Sequence, residues 1–243
     1  ANGTDSLYII MKMLDIGAGD EVITSANSWI SSSETITQAG ARPVFIDAHP
    51  GYFSMDEAKL ESLITPRTRA VIAVHLQGQM CDITAIRAIC DKKGIHLIED
   101  CAQSHFSEYK GVKAGLSGIA GSFSFYPGKN LGAYGDAGCI ITQDDALAEK
   151  CRIYARHGAL IKHQHQMEGI NSRLDGLQAA ILCAKLPYIL KWTKERIANA
   201  ALYDQALEGI EEVVRPALRP DTRHTYHLYF IRARKRDELA AYL

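Results

Sequence analysis

The stretch Ala70-Val71-Ile72-Ala73-Val74-His75-Leu76, a helix-like segment at 82–93, and then Ile95-His96-Leu97-Ile98-Glu99-Asp100 decide the fold. Two short, continuous apolar runs joined by an amphipathic segment predict buried parallel strands with a helical crossover. The same alternation extends upstream. Helix-like stretches lie near 4–14, 28–39 and 56–63, with strand-like Glu21-Val22-Ile23-Thr24 and Pro43-Val44-Phe45-Ile46-Asp47 between them. The expectation is an α/β protein with a mostly parallel sheet sandwiched by helices. Downstream, Ser122-Phe123-Ser124-Phe125-Tyr126 and Cys139-Ile140-Ile141-Thr142 follow with no clear helix between them, so one of these strands can run antiparallel.

From about 144 the pattern changes. Residues 144–157 read as a helix with Asp144 or Asp145 as its cap. Residues 158–170 are polar and His-rich and read as a loop. A long helical stretch starts near Arg173, is interrupted at Pro187, and resumes to about 209. Val213-Val214 and Leu228-Tyr229-Phe230-Ile231 read as strands of a second, smaller α+β unit. The expected division is a large domain over 1–186 and the start of a small domain over 187–243.

Composition excludes several classes. Charged residues make up 23%, the formal net charge is -1, and no basic run suggests a nucleic-acid partner. No apolar stretch approaches the roughly 18 residues a membrane helix needs. The six cysteines form no CxxC pair and read as reduced thiols of a cytoplasmic protein rather than a disulfide framework or a metal site. The chain opens at Ala1-Asn2-Gly3 without Met and stops within an amphipathic pattern at Leu243, so it reads as part of a longer chain.

Three features carry chemistry. Asp100 ends a buried-looking strand, where ligands of open α/β sheets bind; taken alone it is also a plausible cap for the segment after it. Lys129 follows a strand in Phe125-Tyr126-Pro127-Gly128-Lys129-Asn130-Leu131-Gly132, and four glycines lie between Gly128 and Gly138. A phosphate loop of the Walker type is excluded because Asn130, not Ser or Thr, follows the lysine; a solvated turn lysine is the plain alternative. Gly3-Thr4-Asp5-Ser6 starts a helix, a simple cap or an anion site. A phosphate site, a strand-end carboxylate and an isolated lysine after the next strand together are what a pyridoxal 5′-phosphate pocket requires. The lysine bonds the aldehyde carbon, and the carboxylate keeps the pyridine nitrogen protonated so that the ring serves as an electron sink.

The motifs Asn2-Gly3-Thr4-Asp5, Gly17-Ala18-Gly19-Asp20-Glu21-Val22, Pro43-Val44-Phe45, Val74-His75-Leu76-Gln77-Gly78, Glu99-Asp100-Cys101-Ala102-Gln103, Phe123-Ser124-Phe125-Tyr126-Pro127-Gly128-Lys129-Asn130 and Asn171-Ser172-Arg173-Leu174-Asp175, in that order, resemble the DegT/StrS family of sugar aminotransferases. The resemblance implies the fold of aspartate aminotransferase and a role for each matching residue. Lys129 carries the cofactor and then shuttles a proton, Asp100 pairs with the pyridine nitrogen, Gln103 approaches the ring hydroxyl, and Trp29 stacks on the ring. Gly3, Thr4, the Asp5 backbone and Ser124 bind the phosphate. Asn171 reaches the phosphate of a neighbouring subunit, which implies a homodimer with composite sites. The implied reaction takes an amino group from glutamate and places it on a nucleotide-linked keto sugar. The form of Gly132 to Gly138 and of Asn171 to Asp175 points to C-3 of a dTDP-3-oxo-6-deoxyhexose. Cys101 departs from the alanine common there.

Rivals on the same fold are a sugar dehydratase, which is expected to carry His in place of Lys129, and a regulatory homologue without turnover. Tyr126 and Tyr134 flank Lys129 and can contact sugar or simply pack. His157, His163 and His165 read as solvent-loop residues; His224 and His227, near the small-domain strands, can touch substrate but read rather as satisfied surface or core residues. Arg173 and Asp175 can serve only to begin the helix that follows.

Overall fold

The computed structural model describes residues 1–243. Its main-sheet strands are β1 (Glu21–Ser25), β2 (Arg42–Ile46), β3 (Thr68–Val74), β4 (His96–Asp100), β7 (Ala120–Ser124) and β8 (Gly138–Ile141). The small strands β5 (Glu108–Tyr109) and β6 (Val112–Lys113) lie between β4 and β7, and β9 (Val213–Val214), β10 (Thr222–Arg223) and β11 (Arg232–Ala233) come late in the chain. The helices are α1 (Gly3–Met13), α2 (Ser31–Gln38), α3 (Leu60–Leu63), α4 (Ile83–Lys93), α5 (Asp145–Tyr154), α6 (Gly176–Lys185), α7 (Ile189–Ala206) and α8 (Arg236–Tyr242).

The main sheet has the order β2-β1-β3-β4-β7-β8. All its pairings are parallel except β7 with β8, which is antiparallel, as the missing helix between them allows. Alternation along each strand splits the core into two layers. Val22, Ala70, Ile72, Val74 and Ile98 pack with apolar residues of α1, α2 and α5. Ile23, Val71, Ala73 and Leu97 pack on the other face with Leu60 of α3 and with Ile83, Ile86 and Cys90 of α4. Pro43, which cannot donate to a ladder, is tolerated because β2 is an edge strand.

Local signals explain the helix limits. Asn2 caps α1 by accepting from Asp5 N at 2.8 Å, Asp82 caps α4 through Ala85 N, and Asp144 caps α5 through Leu147 N. Gly94 ends α4 in the left-handed region at φ 65°. The helix expected from Arg173 begins three residues later, at Gly176, and Pro187 sits in a 3-10 turn that separates α6 from α7.

One expectation needs correction. Leu228 to Ile231 form no strand; the pairing shifts to Arg232–Ala233, which meets Val213–Val214 antiparallel. The apolar quartet is engaged by side chains instead: Tyr229 donates its hydroxyl to Asp204 at 2.7 Å, and Phe230 meets Phe53 edge-on. Thr222–Arg223, which the sequence did not mark as a strand, joins the β5–β6 hairpin.

Glu99 and Asp100 sit side by side on β4 and point to opposite faces. Glu99 is fully buried and accepts from Gly115 N at 2.9 Å, from Ser117 N and Gly118 N at 2.7 Å each, and from His75 Nε2 at 2.8 Å. It therefore ties the turn that leads into β7 to the centre of the sheet. Glu99→Leu leaves three backbone N–H groups and the buried His75 Nε2–H without an acceptor, and the expected cost is about 3–5 kcal/mol of unfolding free energy, read by urea denaturation.

Candidate active site

The carboxyl ends of β1, β3, β4 and β7 lie along one edge of the sheet, and the chemistry-bearing residues leave from those ends. Asp100, the last residue of β4, is buried. Ser32 of α2 donates to Asp100 Oδ2 at 2.9 Å, and Ala102 N donates to Oδ1 at 3.1 Å. No helix follows Asp100, so it caps a turn and not a helix, and both of its oxygens are oriented. Ser28 stands behind Ser32 at 2.7 Å.

Lys129 is presented by the tight turn after β7. Its N–H donates to the Tyr126 carbonyl at 2.8 Å. At Gly132 a Cβ would come within 2.3 Å of the Pro127 carbonyl oxygen, so only glycine lets the loop close there. Burial pushes the Lys129 amine below the usual lysine range, and the Asp100 charge pulls it part of the way back. Asp100 thus acts on the Lys129 amine through its charge, with no direct hydrogen bond between them.

A third group closes the site. The first N–H groups of α1 have no acceptor within the helix and carry the positive end of its dipole. A Cβ on Gly3 would lie 2.7 Å from Ser124 Cβ, so the glycine lets the helix start come down onto the end of β7. Gly138 permits a similar approach, since a Cβ there would lie 2.4 Å from the Asn2 backbone carbon. Thr4 Oγ1 lies 2.7 Å from Ser31 Oγ. The Asp5 N–H is already taken by Asn2, which leaves the Gly3 and Thr4 N–H groups and the Ser124 hydroxyl as the donors around this cradle. A helix start cleared by glycine against Ser124, a fixed strand-end carboxylate and a lysine that feels its charge are residues of the kind that pyridoxal phosphate needs.

Other expected residues are placed more loosely. Gln103 accepts from Gln77 N at 2.6 Å through Oε1, which leaves its amide NH2 to donate. Trp29 is 73% exposed. Asn171 is exposed and accepts from Arg173 Nε at 3.1 Å. Tyr126 and Tyr134 are exposed, and Tyr134 lies under Lys185 Nζ at 4.4 Å. His163 and His165 lie in an exposed loop, where His165 Nδ1 meets the His157 carbonyl at 2.7 Å. His75, Glu99 and Cys101 bring potential ligand atoms together, but Cys81 N donates to His75 Nδ1, Nε2 meets Glu99, and the Glu99 oxygens already take four donors, which leaves the Cys101 sulfur alone.

The structure adds Ser32 beside Asp100, and it puts His105 and His227 within the influence of the Lys129 charge. Ser32 lies in a run of serines of which Ser31 and Ser32 are buried, a distinction that only the helix phase reveals. His105 is buried against Phe123 and Phe125, with both ring nitrogens unpartnered; burial and then the Lys129 charge push it down to about 4. His227 arrives from the far end of the chain and bonds Asn130, the residue after Lys129. A cavity of about 590 Å³ along β8, α1 and α5 has none of these three residues in its lining.

Over residues 1–243 the sequence matches the DegT/DnrJ/EryC1/StrS aminotransferase family. The chain belongs to that family. It is 47% identical over its whole length to the pleiotropic regulatory protein of Geobacillus stearothermophilus and 40% identical to the dTDP-3-amino-3,4,6-trideoxy-alpha-D-glucose transaminase of Streptomyces venezuelae. It covers 66% and 64% of these two proteins, so the chain spans about two thirds of the curated relatives it matches. Its fold superposes on S. venezuelae DesV, solved in complex with a ketimine intermediate, with a TM-score of 0.96 at 41% identity, covering 99% of this chain and 65% of that one. NtdA of Bacillus subtilis, solved with bound PMP, gives a TM-score of 0.90 at 32% identity, over 98% of this chain and 55% of that one.

Gly3→Ala forces α1 away from Ser124. The expected result is about a tenfold loss of pyridoxal phosphate affinity in equilibrium dialysis, the size of a modest overpacking strain.

Proposed function

We propose that this chain supplies the cofactor-binding half-site of a pyridoxal phosphate-dependent sugar aminotransferase. The observation that supports it most is the close approach of the α1 start to Ser124 at the end of β7, the strand beside Asp100, together with the pull of the Asp100 charge on a partly buried Lys129. Bound there, pyridoxal phosphate supplies an electron sink for the carbon that exchanges its amino group. The residues of the chain do the rest. Asp100, held by Ser32 and Ala102 N, meets the pyridine nitrogen with a fixed carboxylate. Gly3 N, Thr4 N and the Ser124 hydroxyl hold the phosphate. Gln103 donates its free amide to the ring hydroxyl, and Trp29 covers one ring face.

Lys129 holds the cofactor covalently and, once released, carries the proton between the cofactor carbon and the substrate carbon. Its depressed amine is suited to that task, because a neutral amine is available at lower pH than in an ordinary lysine. The proposed amino donor is glutamate, and the acceptor a nucleotide-linked keto sugar aminated at C-3. The naming of similar proteins as transaminases that form 3-amino sugars supports that position. The exposure of Asn171 and Trp29 fits a composite site completed by a second copy in a homodimer. In this reading residues 187–243 begin the smaller domain beside the cleft.

A regulatory reading draws on the name of the Geobacillus relative, and a turnover assay separates the two. The protein loaded with pyridoxal phosphate is expected to absorb at roughly 400–430 nm and to lose that band to shorter wavelength when glutamate is added. Lys129→Ala is expected to reduce amino transfer by at least about 10³-fold. A loaded protein whose spectrum ignores glutamate favours the regulatory reading, and an Ala variant with full activity removes Lys129 from the chemistry.

A further inference from the structure

Two adjacent serines of α2 give their hydroxyl hydrogens to different carboxylates. Ser32 donates to Asp100 at 2.9 Å. Ser31, also buried, donates to Glu34 Oε1 at 3.0 Å, one turn along the helix. Glu34 forms no ion pair with a lysine or arginine, and Ser31 is the side-chain donor that its charge holds. A hydrogen bond to a charged acceptor is stronger than one between neutral hydroxyls, so Ser31 stays committed to Glu34.

That commitment decides where the hydrogen of Thr4 goes. Thr4 Oγ1 lies 2.7 Å from Ser31 Oγ, so one of the two hydroxyls donates to the other. A serine has a single hydroxyl hydrogen, and the one on Ser31 is already spent on Glu34. Thr4 is therefore the donor, and its oxygen has only lone pairs to offer any other partner. Ser124 differs: its Oγ accepts from Tyr126 N at 3.3 Å and keeps its own hydrogen. The Thr4 side chain thus faces α2 as a donor, while the Thr4 N–H and the Ser124 hydroxyl remain free at the start of α1.

We propose that Ser31, anchored by Glu34, competes with a bound phosphate for the hydrogen of the Thr4 hydroxyl and so weakens the noncovalent hold on the cofactor. The proposal rests on the pyridoxal phosphate reading of this site. An ionised phosphate oxygen only accepts, so the Thr4 hydroxyl adds nothing to its binding until the hydrogen leaves Ser31. Leaving costs the Thr4–Ser31 bond, because the Ser31 hydrogen cannot turn to Thr4 without abandoning Glu34. The aldehyde form of the cofactor has its bond to Lys129 as a second anchor. The amino form rests on noncovalent contacts alone, so the weakened hold falls chiefly on that form. Ser31 and Glu34 thereby tune cofactor retention without touching the cofactor.

Equilibrium dialysis of the full chain against pyridoxamine 5′-phosphate tests this, with pyridoxamine as the probe that lacks the phosphate. Neither probe has an aldehyde, so the bond to Lys129 is not read. Ser31→Ala frees the Thr4 hydrogen and is expected to tighten pyridoxamine 5′-phosphate about tenfold, with pyridoxamine unchanged. Glu34→Ala releases the Ser31 hydrogen to Thr4 and is expected to act in the same direction through a less buried residue. Thr4→Val is expected to cost about tenfold in the Ser31→Ala background and less than about twofold with Ser31 in place. An unchanged or weaker hold in Ser31→Ala or Glu34→Ala, or an equal cost of Thr4→Val in both backgrounds, overturns the proposal and leaves the aminotransferase reading intact. A chain that binds pyridoxamine 5′-phosphate no better than pyridoxamine overturns both.

Discussion

A lysine amine drawn out of water opposite a fixed carboxylate is the constraint on which the rest of this structure depends. Keeping a cation and an anion within each other's influence without letting them collapse onto each other requires a rigid frame. The parallel sheet supplies it, since β4 and β7 are hydrogen-bonded neighbours and release Asp100 and the Lys129 turn from the same edge. Ser32 and Ala102 N occupy both oxygens of Asp100, so that carboxylate is held in place by neutral donors. The start of α1 meets the end of β7 because residues 3 and 138 have no side chain to keep them apart.

The adjacent acids of β4 show how one strand divides structure from chemistry. Glu99 faces the layer of α3 and α4 and spends its oxygens on three backbone N–H groups and His75. Asp100 faces the other way, toward α2, and keeps a side chain that a ligand can reach. A strand that placed them in the opposite phase would bury the wrong acid, because a shift of one residue exchanges the faces. The turn that Glu99 fixes leads directly into β7, so the structural acid also sets the register of the strand that carries Lys129.

The large sheet was legible because its strands are apolar and its helices periodic, and both signals are local. The antiparallel β7–β8 pair was legible from the lack of a helix between two strand-like runs. The phosphate cradle, Asp100 and Lys129 were legible as motifs, and their convergence follows from the topology that the alternation implies. What stayed hidden depends on distant parts of the chain. Leu228 to Ile231 have the composition of a strand, but Tyr229 is drawn to Asp204 and Phe230 to Phe53, and pairing moves to Arg232 and Ala233. His227 reads as an ordinary packed histidine until Asn130, 97 residues earlier, is seen to hold it. His105 is a polar residue in an apolar setting, and no periodicity marks it as lying within the influence of the Lys129 charge.

The central claim is that one particular amine among the lysines of the chain bonds the cofactor. Borohydride reduction of the protein incubated with pyridoxal phosphate makes that bond permanent, and peptide mass mapping then locates it. The account predicts a single phosphopyridoxyl group on Lys129, and its loss when Asp100 and the α1 cradle are both disrupted. A group spread over surface lysines such as Lys92 or Lys191, with Lys129 unmodified, contradicts it.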